Sequence, residues 1–109
     1  MKISDVPFGV ETWDCVPATE HPGTVGMAYW RTLTAGNLRV RMVEYTVGYV
    51  ADHWCRKGHV VLVLEGELHT RLEDGRQFVL RAGQSYHVAD DAEAHQSAAP
   101  EGAKLFIVD

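Results

Sequence analysis

Long apolar runs are missing from this 109-residue chain: nowhere do about 18 apolar residues stand together, the length a membrane-crossing helix needs. The run from Met1 to Val10 also lacks an apolar stretch long enough for a signal peptide, so the expectation is a cytoplasmic protein with no membrane partner. Basic charge is scarce. Ten Lys and Arg stand against fifteen Asp and Glu, for a net charge of −5. A nucleic-acid partner needs a concentrated basic surface, and the nearest thing to one is the pair Arg39 and Arg41, so none is expected. With only two cysteines, Cys15 and Cys55, there is no disulfide framework. Phosphate-cradling Gly-rich loops, a Gly-x-Ser-x-Gly elbow and EF-hand spacing are absent as well.

What is present is an ordinary globular composition, 46% hydrophobic and 23% charged. A chain of this length makes one domain that buries roughly 60–70% of its unfolded surface. No segment carries a long helical period. Instead, short β-branched and aromatic runs alternate with turn residues: Met27 to Thr34, Leu38 to Val47, Ala51 to Cys55, His59 to Leu64, Leu68 to Leu72, Gln77 to Leu80, Ser85 to Val88 and Ala103 to Val108. Asp74-Gly75 is a strong hairpin signal because it accepts positive φ. The chain therefore reads as all-β, a sandwich or barrel over residues 25–109, preceded by an extended arm, 1–24, that belongs to the same domain and holds at most a strand or a turn of helix.

Chemistry concentrates between Gly48 and Gly66. His53, Cys55 and His59 stand within a few positions, and the i, i+2 pair His53 and Cys55 would share one face of a strand. A distant fourth candidate, His95, follows a second segment that opens at Gly83. Imidazole serves Zn, Fe, Cu and Ni alike, and a coordinating thiol binds as thiolate. By alternation Trp54 should face away from His53 and Cys55 and pack, and only one of Tyr86 and His87 can face inward. Glu44 is a carboxylate able to orient a ligand if it faces the interior, and otherwise a solvated charge. His21 and His69 read most simply as solvated surface groups.

The order Gly48, His53, Cys55, His59, Gly66 resembles the first motif of the cupin superfamily, the RmlC-like small jelly-roll β-barrels, with the first spacing one residue short. Gly83 through Ala89 to His95 resembles the second motif with one residue more before the His. Cys55 stands where the family usually has a second His, His59 where it has Glu, and Ala89 and Asp91 where it has Pro and Gly. The string from Asp52 to Cys55 is also similar to that of small uncharacterised cupins labelled by an Asp-His-Cys-Trp motif, with Trp and Cys in the opposite order.

The resemblance implies a cupin-type jelly-roll barrel holding one divalent transition metal on His53, His59 and His95, with Cys55 as fourth ligand or close neighbour. Iron or zinc comes first as the metal, with Ni, Mn or Cu also compatible. Four such ligands close a tetrahedral zinc site, whereas iron keeps positions open. The implied chemistry is metal-dependent, dioxygenase-type turnover of a small organic molecule in the barrel lumen. The alternative is a non-catalytic, metal-stabilised module that binds or senses a small ligand, and whether the chain is an enzyme stays open. A homodimer is expected, because Phe8, Val10 and Trp13 in the arm need cover.

Overall fold

The computed structural model describes residues 2–109 and is almost entirely antiparallel sheet. The strands are β1 (Ala18–Pro22), β2 (Met27–Ala35), β3 (Leu38–Tyr45), β4 (Tyr49–Val50), β5 (His59–Leu72), β6 (Gln77–Arg81), β7 (Ser85–Val88), β8 (His95–Ala99) and β9 (Ala103–Val108). One sheet runs β1-β2-β3-β9-β5-β7 and the other β4-β8-β5-β6, so the two share β5 and curl around a common interior as a jelly roll. Among the described residues, no helix is long and apolar enough to cross a membrane.

β5 is the element the sequence divides in two. Its first half pairs with β7 and β9, its second half with β6 and β8, and a register shift lies between Val63 and Glu65. Gly66, at φ 76°, permits the passage: a Cβ there would sit 2.2 Å from the Gly102 carbonyl oxygen. The residues from Glu65 to Glu67, which separate the runs His59 to Leu64 and Leu68 to Leu72 in the sequence, are a bulge inside one continuous strand. The hydrogen-bond ladder resumes beyond it, so the turn signal is absorbed as a change of sheet.

Strand alternation fills the interior. On β5, Val61 and Val63 are buried while Val60 and Leu64 face outward. Val43 from β3, Leu68 from β5, and Leu105 and Ile107 from β9 join them in one core. The same alternation turns Arg41 inward beside Val43, where it is a buried polar residue, as are Thr70 and His95.

The arm folds onto this frame in part. β1 pairs with β2 from Ala18 opposite Arg31 to Pro22 opposite Met27. A single 3-10 turn, Trp13–Cys15, sets the Trp13 ring edge-on to Phe106 at 6.4 Å, and Arg31 Nη1 donates to the carbonyls of Trp13, Asp14 and Val16. Phe8 and Val10 stay bare, 97% and 81% exposed.

Candidate metal centre

Three of the four expected ligands come together. The backbone of Cys55 is bridged to that of His95, with Cys55 N–H donating to the His95 carbonyl at 2.7 Å and His95 N–H returning to Cys55 at 3.0 Å. His59 opens β5 on the inward side shared with Val61 and Val63. One donor atom from each of Cys55, His59 and His95 lies within 4.8 Å of the others.

His53 does not join this group. Asp52 and His53 form a bend and Trp54 is not in a strand, so the i, i+2 rule that would place His53 beside Cys55 does not operate there. Its Nδ1 instead lies 2.6 Å from Asp52 Oδ1, with the ring largely exposed at the wall of the cavity that holds the cluster.

Proton placement in the cluster suits a cation. His95 Nδ1–H donates to the Glu93 carbonyl at 2.9 Å, which leaves the lone pair on His95 Nε2. That atom faces His59 Nε2 at 2.9 Å. If His59 carries its proton on Nδ1, two lone pairs oppose each other and Nδ1–H is a buried donor with no hydrogen-bond partner. If the proton is on Nε2, an unprotonated Nδ1 is left buried 3.7 Å from the carboxylate of Asp109. A metal ion held by His59 and His95 would remove both defects: the Nε2 lone pairs would serve as ligands, and His59 Nδ1–H would turn its positive edge to Asp109. The donor set fits a transition metal.

The electrostatics agree with that fit. Burial, with His95 beside it, pushes His59 down to about 4, so its imidazole is neutral and ready to ligate at neutral pH. The interaction between Cys55 and His95 draws the Cys55 thiol below its usual value, toward the ligating thiolate, and raises His95 above its own, so a metal would have to displace a proton from the Cys55–His95 pair. Tyr86 brings its hydroxyl to 3.0 Å from His59 Nε2, and burial pushes its pKa well above the usual phenol range, so it stays a protonated donor.

Arg39, Arg41 and Asp109 support the site, and motif reading passes over them. Asp109 takes the Arg39 fork at 2.7 and 2.8 Å and Arg41 Nη2 at 3.0 Å. The i, i+2 spacing of the arginines on a strand is a signal that they share one face. Tyr86 is the inward member of its pair and His87 is exposed. Trp54 is 40% exposed under Arg71, whose Cζ lies 5.2 Å from the ring centroid, and Glu44 is exposed. His69 and His21 are less solvated than their neighbours suggest: His69 bonds Glu67 at 2.7 Å, and His21 stacks on Trp30 at 3.7 Å between centroids.

No family model and no curated protein matches the chain. Solved structures do. An RmlC-like cupin from Shewanella frigidimarina is 25% identical, with 97% of this chain and 89% of that one aligned at a TM-score of 0.67. Ectoine synthase from P. lautus is 17% identical over 93% of this chain and 76% of its own, with a TM-score of 0.73. The iron(II) form of HppE, crystallised with an alternative substrate, is 19% identical over 96% of this chain and 62% of its own, with a TM-score of 0.76. What they share with this chain is the fold.

Proposed function

Since the chain has the fold of the cupin superfamily, we propose that it is a metal-dependent cupin acting on a small organic molecule, with Cys55, His59 and His95 as metal ligands. The observation that carries this reading is the approach of His59 Nε2 to His95 Nε2 at 2.9 Å, each ring backed on its far side by an oxygen, from Asp109 and Glu93. A thiolate with two imidazoles suits zinc or iron, and the iron(II) in HppE, of the same fold, favours iron, on which we infer dioxygenase-type turnover. Bound there, the ion would supply Lewis-acid polarisation and, as iron(II), a route for electrons to dioxygen as the oxidant.

The chain's own residues do the rest. His95 is locked in one tautomer by the Glu93 carbonyl, and His59 is oriented by Asp109. Tyr86 offers a hydroxyl donor at the cluster, and Val61, Leu105 and Ile107 give the same cavity an apolar wall. A structural zinc site needs four protein ligands. His53 would be the fourth, and it lies outside the cluster with its ring largely exposed beside Asp52, so three ligands favour chemistry over a purely structural ion.

Elemental analysis tests the reading. Purified protein should carry about one iron or zinc per chain. His95→Ala should lose most of it, and His53→Ala should retain more than His95→Ala. Full metal content in His95→Ala would sink the site as drawn.

A further inference from the structure

The cavity of about 170 Å³ that holds the cluster has a second kind of wall. Arg39, Arg41 and Lys57 line it, and no Asp or Glu is among its described lining residues. Asp109, behind that wall, pairs with both arginines and offsets one of the three positive charges, which leaves an excess of basic groups in a chain of net charge −5. Much of the remaining surface is apolar or aromatic.

Arg41 is the group that calls for a ligand. Its side chain is only 6% exposed, yet its Nε–H is buried with no acceptor. Asp109 gives it one contact, to Nη2 at 3.0 Å, and is otherwise engaged by the fork of Arg39 at 2.7 and 2.8 Å. The Trp30 ring lies 4.4 Å from Arg41 Cζ and accepts no conventional hydrogen bond there. A guanidinium has five N–H donors in a fixed fork, and a buried one without an acceptor is an exception that needs a reason. Asp109 Oδ2 also stands 3.7 Å from His59 Nδ1, so the guanidinium and the ligand cluster flank one carboxylate.

We propose that the cavity takes a small organic carboxylate, its head accepting from Arg41 Nε–H, its body against Val61, Leu105 and Ile107, and its other end toward Cys55, His59 and His95. The planar two-oxygen head matches a guanidinium edge, whereas a third phosphate oxygen would meet apolar wall. The volume lies below the roughly 300–1,000 Å³ of pockets that take drug-sized ligands, which sets the size near lactate or malonate. This names a substrate class for the proposed metal site and rests on that reading for the ligand's reactive end alone. The Arg41 contact needs no metal.

The test uses isotope-labelled full-length protein, with and without metal, titrated at constant ionic strength with lactate, malonate, lactamide and inorganic phosphate. The Arg41 Nε–H resonance and the heat of binding are followed together. Lactate or malonate should move the resonance, and lactamide should bind roughly ten- to a hundredfold more weakly. Arg41→Met should erase that preference, and if the variant fails to fold, the wild-type resonance decides alone. A resonance indifferent to both carboxylates, lactamide binding as well as lactate, or a response to phosphate only would each overturn the proposal. Metal content is read on the same samples. Protein that takes up no metal but answers lactate sinks the metal reading and keeps this one; loaded protein with a silent Arg41 does the reverse.

Discussion

Asp109→Asn tests the support beneath the cluster. The Asp109 side chain is 1% exposed and holds Arg39 at 2.7 Å and Arg41 at 3.0 Å, with His59 Nδ1 at 3.7 Å. Asparagine keeps the volume and one acceptor oxygen but withdraws the negative charge from between two guanidinium groups. Arg39, 34% exposed, can turn to water; Arg41, at 6%, cannot. Breaking a buried pair costs about 3–5 kcal/mol, and with one acceptor retained the low end, about 3 kcal/mol, is expected. Against a total of about 5–15 kcal/mol this is a large fraction, worth about 12 °C or more in melting temperature. Urea unfolding of metal-free protein measures it without a contribution from bound ion. The pH dependence has a defined sign. Burial alone would raise Asp109, but the Arg39 hydrogen bond and the charges of both arginines outweigh it and hold the carboxyl below its usual value. Its stabilisation is therefore complete above about pH 4, the ordinary carboxylate value, and lost as pH falls through the depressed folded value, where the wild-type and variant curves converge. Metal affinity should fall about 10- to 100-fold with the loss of a carboxylate behind a ligand imidazole. A loss of less than about 1 kcal/mol at neutral pH would refute the argument, because it would mean that Arg41 finds its counter-charge elsewhere.

Cys55→Ser should shift metal preference away from zinc and copper toward harder ions, since a hydroxyl replaces a soft donor; an unaltered order in a competition assay would place the sulfur outside the ligand set. Gly66→Ala should destabilise by more than about 1 kcal/mol, because φ is 76° and the new Cβ meets the Gly102 carbonyl oxygen at 2.2 Å, and a chemical melt reads this directly. The bare Phe8 and Val10 should be covered in a homodimer at tens of micromolar, and the double change Phe8→Ser with Val10→Ser should release monomer in light scattering across a dilution series. A wild-type monomer at that concentration would rule the shared arm out.

The strand runs were legible because β-branched alternation is local, and so were Cys55, His59 and His95 once their order resembled a known motif pair. β8 was not, since His95 to Ala99 contains no β-branched or large apolar residue and becomes a strand only by pairing with β4 and β5. The outward bend of His53 was hidden for the opposite reason: its neighbours read as strand, and the competing partner, Asp52, is a single side chain. Arg41 and Asp109 stand 68 residues apart, and nothing in a one-dimensional pattern pairs them. Alternation could place Arg41 inward, but only the closing of β3 against β9 supplies its counter-charge.

The reciprocal backbone bridge between Cys55 and His95 separates the framework of the centre from its chemistry. The two residues are held side by side by main-chain groups that any amino acid except proline can offer, so the donor atoms can be exchanged without redrawing the loop that presents them. A barrel of this kind can pass from a sulfur-containing set to one of nitrogen or oxygen by single codon changes at position 55, each variant keeping the same bridge. On the proposed reading, the preference for one metal over another could then be chosen at the bench through position 55 while the fold stays fixed.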